Sequence, residues 1–180
     1  MIPYGKQSID ESDIESVVEI LKSDYLTQGP AVPIFERSIM KKCGADYAVA
    51  VTSATAALHV ACRALDLGPG DLLWTTPITF VASANCAVYC GARVDFVDID
   101  PNTNNMCANA LRDKLITAEK ENNLPKIVVP VHLSGSPCDM QEIFALSKEF
   151  NFKIIEDASH AIGGFYLDGP IGNCRFSEIT

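Results

Sequence analysis

The sequence predicts an α/β fold, a mostly parallel sheet covered by helices, and three observations predict it. From residue 47 onward, short apolar runs alternate with helical patterns of about ten residues, as βαβ crossovers require. Glycine- and proline-rich turns such as Gly68-Pro69-Gly70 punctuate the changes of pattern. The chain has 180 residues, 48% of them hydrophobic and 21% charged, which suits one globular domain with a real core. No repeat, low-complexity tract or linker divides it.

The elements follow in order. Residues 10–22 read as a helix: Asp10 can cap, acids fill the first turn, and Ile14, Val17, Val18 and Leu21 form an apolar stripe. Gly29-Pro30 breaks the chain, and residues 31–43 make a second helix expected to carry Phe35 and Ile39 inward. Tyr47–Val51 reads as a buried strand and Ala54–Leu65 as a helix. Leu72–Thr75 is a strand, Val81–Cys90 a helix and Arg93–Val97 a strand. Residues 108–120 are helical, Ile127–Val131 is a strand, Met140–Phe150 a helix and Lys153–Glu156 a strand. Residues 164–172 read as a short hairpin around Asp168-Gly169. Phe176–Ile179 resembles the start of another strand.

Composition narrows the function classes. The net charge of −9 argues against nucleic acid or an anionic membrane as main partner. It leaves room for an anionic small molecule, which needs only a local pocket. The seven cysteines form no C-x-x-C pair, and Cys62, Cys86 and Cys90 sit among alanine and valine as small hydrophobes. They are read as reduced packing residues of a cytoplasmic protein. His59, His132 and His160 lie far apart and none pairs with a cysteine at ligand spacing, so no metal site is assigned. No signal peptide and no membrane-spanning stretch is read.

Two segments carry chemistry. Residues 154–160, Ile-Ile-Glu-Asp-Ala-Ser-His, are an apolar run closing on Asp157. A strand ending so puts the carboxylate at the carboxyl edge of the sheet, where open α/β sheets bind ligands. A carboxylate there can keep a pyridine nitrogen protonated, the acid partner that pyridoxal phosphate needs. About a hundred residues upstream, Thr52-Ser53-Ala54-Thr55 opens a helical pattern with small residues that leave backbone N–H groups free for a phosphate. Each has a plainer reading. Asp157 can cap a turn, the small residues can serve tight helix–sheet packing, and Phe80 can be core. His160 can be structural, and His59 is kept as a packing residue. His132 follows a buried strand at a sheet edge and is left unassigned.

Five stretches occur in a telling order: Tyr25–Pro30, Thr52–His59, Thr75–Ala82, Val97–Pro101 and Glu156–Ala161. Together they resemble the pyridoxal-phosphate-dependent sugar-nucleotide aminotransferases, a branch of the fold type I aminotransferases. Within it, the likeness is to members that aminate a UDP-4-keto-6-deoxy-N-acetylamino sugar for pseudaminic acid. The resemblance implies pyridoxal 5′-phosphate as cofactor, a UDP-sugar and glutamate as substrates, and a homodimer. It also implies that residues 1–180 are the N-terminal segment and most of the cofactor-binding large domain. Asp157 would pair with the ring nitrogen and His160 would contact the phenolic-oxygen side. Ala54 and Thr55 would offer amides to the phosphate, with a hydroxyl from Ser53 or Thr55, and Phe80 would stack on the ring. Tyr4 and the loop Asp24-Tyr25-Leu26-Thr27 would touch the nucleotide-sugar.

One feature departs from the family. The lysine that bonds the cofactor is expected beyond Thr180, so the 180 residues alone are expected not to turn over. Lys153 is no substitute, because it opens the strand whose far end, about 13 Å away at ~3.3 Å per residue, carries Asp157. Two rivals share the shape: a non-catalytic α/β binding module, and a sugar dehydratase of the same family.

Overall fold

The computed structural model describes residues 6–180. Its centre is a four-stranded parallel sheet in the order β2-β1-β3-β4. The strands are β1 (Leu72–Thr75), β2 (Arg93–Phe96), β3 (Ile127–Val128) and β4 (Lys153–Ile154). Beyond β3 and β4 the parallel pairing resumes at Val131–Asp157, and Ile179 joins the sheet against Ile155. The segment ending at Ile179 thus meets the sheet through a single parallel bridge, with turns and bends over 176–178 in place of the strand the sequence suggested.

Six helices accompany the sheet: α1 (Glu11–Lys22), α2 (Ala31–Cys43), α3 (Ala54–Ala64), α4 (Ala82–Tyr89), α5 (Ala108–Lys120) and α6 (Met140–Phe150). Their origins are local. Asp10 accepts from the Ser12 and Asp13 amides, and the Asp13 side chain accepts from the Asp10 amide, a capping box that starts α1. Ser53 and Asp139 cap α3 and α6 through the side chain alone, accepting from the Ala56 and Glu142 amides. Gly44 ends α2 in the left-handed region.

Successive side chains of a strand point to opposite faces, and the core divides accordingly. Leu72, Trp74, Val128 and Ile154 pack with Leu111, Leu115, Ile143 and Leu146 of α5 and α6. Leu73, Ile127, Val129 and Ile155 pack with Leu58, Cys62, Cys86 and Cys90 on the α3–α4 side. Each fully covered aliphatic side chain contributes about 1.5–3 kcal/mol. This is a helix-covered sheet, as the alternating pattern requires. A hairpin, β5 (Phe165–Tyr166) and β6 (Gly169–Pro170), turns at Leu167-Asp168, one residue earlier than the sequence suggested. Phe176 packs edge-on against both Tyr166 and Phe144 and fixes this end to the core.

Two further expectations are corrected. Tyr47–Val51 is not a buried strand: it pairs with no strand among the described residues, and Tyr47 and Val49 are 88% and 79% exposed. A strand exists only where a ladder partner exists, and the sole tether recorded there is the Ala50 amide donating to Glu36. Phe35 does not point inward but is exposed, while Ile39 is half-buried. The stripe of α1 forms on the helix, yet Ile14, Val17, Val18 and Leu21 are all exposed, because no described element packs over it. Cys62, Cys86 and Cys90 match their reading as packing residues and are buried, whereas Cys174 is exposed and Cys107 half-buried; all seven are free. No described helix is long and apolar enough to cross a membrane.

Candidate functional site

The sheet order places a crevice before any side chain is considered. The chain leaves β1 for β2 on one side and returns to β3 on the other, so the connections after β1 and β3 diverge at their carboxyl ends. Such a switch point is where open α/β sheets bind ligands. A cavity of about 520 Å³ lies there, within the range of sites for small molecules. Ile78, Thr79 and Phe80 line it from the connection after β1, and Val131, His132 and Leu133 from that after β3. Ala54 and Thr55 at the start of α3, and Asp157, Ser159 and His160 after β4, complete it. Asp157, His160, Phe80, Ala54 and Thr55, scattered over a hundred residues, thus share one cavity.

Asp157 sits where the β3–β4 pairing resumes. Its amide donates to Pro130 O at 2.9 Å and its carbonyl accepts from the His132 amide at 3.0 Å. The side chain is 7% exposed. Ser83 Oγ donates to Oδ2 at 2.7 Å, and Ser159 Oγ donates to Oδ1 at 2.7 Å. A carboxylate can only accept, so these proton directions are fixed. Thr79 Oγ1 lies 2.9 Å from Ser83 Oγ and is therefore the donor of that pair. Among the described residues no cation pairs with Asp157. A buried carboxylate held by hydroxyls, with no cation of its own, is suited to a cationic ligand atom.

Glu156, one residue earlier, turns to the other side, as strand alternation demands. Its Oε2 is 2.9 Å from Nε2 of His132, and Oε1 accepts from Ser177 and Thr180 hydroxyls. His132 is 1% exposed, and its Nδ1 accepts from the Cys138 amide at 3.2 Å. The ring proton is therefore on Nε2, donated to Glu156. Burial pushes the Cys138 thiol up to about 12, so this residue supports His132 and is no nucleophile.

The phosphate end is less elaborate. Ser53 Oγ accepts from the Ala56 amide at 3.2 Å, and its carbonyl accepts from Ala57. The Ala54 and Thr55 amides, at the positive end of an eleven-residue helix, have no partner among the described residues. Phe80 is 71% exposed at the cavity. His160 Nδ1 accepts from the Ser134 amide at 3.3 Å. Gly135 lets this turn approach: it sits at φ +85°, where a Cβ would come within 3.0 Å of the His160 carbonyl.

Some expected residues lie elsewhere. Ser53 caps α3 and does not line the cavity. Asp24-Tyr25-Leu26-Thr27 is an exposed loop between α1 and α2, away from the lining. Tyr4 lies outside the described residues. Lys153 opens β4 and faces Glu178 at 3.6 Å, and no described lining residue is a lysine. The sequence reading missed Ser83, Ser159 and Thr79. Thr79 and Ser83 stand four apart, one helical turn, and a serine on a buried helix face must find an acceptor; that was the available signal.

The residues fit pyridoxal phosphate. A buried, cation-free carboxylate, unpartnered amides at a helix start and an exposed aromatic face share a cavity of suitable size.

Comparisons with known proteins point the same way. The profile of the DegT/DnrJ/EryC1/StrS aminotransferase family matches residues 7–179. UDP-4-amino-4-deoxy-L-arabinose–oxoglutarate aminotransferase of Shewanella sediminis is 38% identical over 98% of this chain and 45% of its own length. UDP-4-amino-4,6-dideoxy-N-acetyl-β-L-altrosamine transaminase of Campylobacter jejuni is 39% identical over 96% of this chain and 44% of its own. The solved structure of Helicobacter pylori PseC, an aminotransferase involved in pseudoaminic acid biosynthesis, superposes with a TM-score of 0.87 at 32% identity. That superposition covers 97% of this chain and 45% of PseC. The chain thus spans a little under half the length of these relatives.

Proposed function

The chain belongs to the DegT/DnrJ/EryC1/StrS aminotransferase family, and from that premise we propose that it supplies most of the cofactor-binding large domain of a sugar-nucleotide transaminase. Aminotransferases of this family depend on pyridoxal phosphate. The protein would move the amino group of glutamate to a UDP-4-keto-6-deoxy-N-acetylamino sugar, in the cytoplasm and as a homodimer. The support for this substrate is the 39% identity to the Campylobacter transaminase and the fold shared with PseC.

One observation carries the reading: Asp157, clamped by Ser83 and Ser159, opens into the same cavity as the Ala54 and Thr55 amides. When bound, the cofactor supplies an electron sink for carbanion chemistry. The chain's own residues do the rest. Asp157 would hold the proton on the ring nitrogen, the start of α3 would bind the phosphate, and Phe80 would cover one ring face and exclude water. His160, whose Nδ1 accepts from the Ser134 amide, would contact the phenolic-oxygen side of the ring. Tyr4 and residues 24–27 are assigned to the nucleotide-sugar on the family resemblance alone.

The test uses the full-length protein with pyridoxal phosphate, glutamate and a panel of UDP-4-keto sugars, read by mass spectrometry. The aminated UDP-4-keto-6-deoxy-N-acetylamino sugar is expected. A deoxygenated sugar without nitrogen would identify a dehydratase, and no turnover of any keto sugar would end the proposal.

A further inference from the structure

We propose that Ser83 is the positioning residue for Asp157: its hydroxyl, reaching across from α4, sets the orientation in which the carboxylate meets a cationic ring nitrogen. This rests on Asp157 being the ring-nitrogen partner, as proposed above. The two hydroxyls on Asp157 are not equivalent. Ser159 is two residues along the same turn and moves with Asp157. Ser83 lies 74 residues away on a separate element and is itself wholly buried.

A carboxylate turns easily about its terminal bond, and the local bonds from the Ser159 amide and hydroxyl both fall on Oδ1, leaving Oδ2 without a local tether. The Ser83 bond to the second oxygen removes that freedom and ties the end of β4 to the first turn of α4. Thr79 strengthens the tie: by donating to Ser83 Oγ at 2.9 Å it polarises the hydroxyl toward Asp157. The relay Thr79→Ser83→Asp157 takes one four-residue step along the chain and then crosses from α4 to the end of β4. Each carboxylate oxygen accepts in about two directions. Oδ1 already accepts from both the amide and the hydroxyl of Ser159, so the acceptor capacity left for the ligand is on Oδ2, the oxygen that Ser83 holds. Ser83 touches neither cofactor nor substrate, and its whole effect is expected to pass through Asp157.

The experiment is a double-mutant cycle in the full-length protein, with Ser83→Ala, Asp157→Asn and the double variant. The probe is pyridoxamine 5′-phosphate, which carries the ring nitrogen and phosphate but no aldehyde. Affinity is measured by equilibrium dialysis, and ring protonation by the 15N shift of ring-labelled probe. Ser83→Ala is expected to weaken binding about tenfold and move the 15N shift toward the unprotonated value. In the Asp157→Asn background the same change should alter affinity less than about twofold. A Ser83→Ala variant that binds and protonates the probe as wild type does overturns the inference, as does equal weakening in both backgrounds, which marks simple packing. Wild-type protein that binds no probe overturns the cofactor site itself, a separate failure. If Ser83→Ala does not fold, Thr79→Val weakens the same relay from its outer end. It should give a smaller loss of affinity that also vanishes with Asp157→Asn, and an unchanged affinity overturns the inference.

Discussion

Replacing His132 by phenylalanine should destabilise the fold far more than replacing its partner Glu156 by glutamine. His132 is 1% exposed and makes two bonds that fix its proton on Nε2: Nδ1 accepts from the Cys138 amide at 3.2 Å, and Nε2 faces Glu156 at 2.9 Å. Phenylalanine keeps the planar bulk and removes both. The hydrogen bond to a charged acceptor is worth about 1.5–3 kcal/mol, and a stranded buried amide costs about 1–3 kcal/mol. Together they put the loss at about 3–5 kcal/mol, the scale of breaking one partner out of a buried pair. Glutamine at 156 behaves differently. Its carbonyl oxygen can take the imidazole proton while its NH₂ donates to Ser177. The Ser177 hydroxyl then turns to Thr180 Oγ1, 3.3 Å away. The charge is lost but no group is orphaned, so about 1 kcal/mol or less is expected. Equilibrium urea unfolding followed by circular dichroism measures both. A His132→Phe variant within about 1 kcal/mol of wild type would refute the reasoning, as would a Glu156→Gln variant that is the more damaged of the two.

Three further outcomes are expected. Asp157→Asn in the full-length protein should lower turnover about 10–100-fold with little change in the unfolding midpoint, since it removes a charged partner while keeping shape; wild-type rates would make Asp157 purely structural. Native-state alkylation mapped by mass spectrometry should leave Cys62, Cys86 and Cys138 unmodified until the protein is unfolded, as all three are buried and the Cys138 thiol is pushed up to about 12. Lys126, 2.8 Å from Asp71, holds that carboxyl below its usual 3.8 through a side-chain hydrogen bond, so its contribution is present above 3.8 and lost as pH falls through the lower folded value. Lys126→Met should therefore cost up to ~1 kcal/mol at neutral pH, and the gap to wild type should close in acid unfolding titrations.

The parts of the fold legible in the sequence are those whose pattern and partner are both regular. Alternation of Leu72 and Trp74 against Leu73, and of Val128 against Ile127 and Val129, follows from period-two geometry once helices cover both faces. The capping box at Asp10 and the cap at Ser53 involve residues three apart and can be read directly. Tyr47–Val51 shows the limit. Its apolar run records an affinity for cover, not the identity of the cover, and no described strand provides it. The α1 stripe makes the same point: Ile14, Val17 and Leu21 keep helical spacing while staying exposed.

At the site, Asp157 was legible because a strand ending in an acid has one geometric meaning in a parallel sheet, the carboxyl edge. Ser83 was not, because its partner lies 74 residues away and periodicity carries no information about which hydroxyl meets which carboxylate. The pairing was nonetheless constrained. A serine buried on a helix face needs an acceptor, helix α4 begins at the carboxyl end of β1, and the buried acids among the described residues, both just past the carboxyl end of β4, are Glu156 and Asp157. Strand alternation turns Glu156 toward His132 on the other side, which leaves Asp157 as the acid that can satisfy Ser83. Sheet order, which the sequence predicts only as a class, is therefore the step that converts two separate motifs into one chemical site. The hydroxyls that complete the site are found by asking where each buried polar group goes.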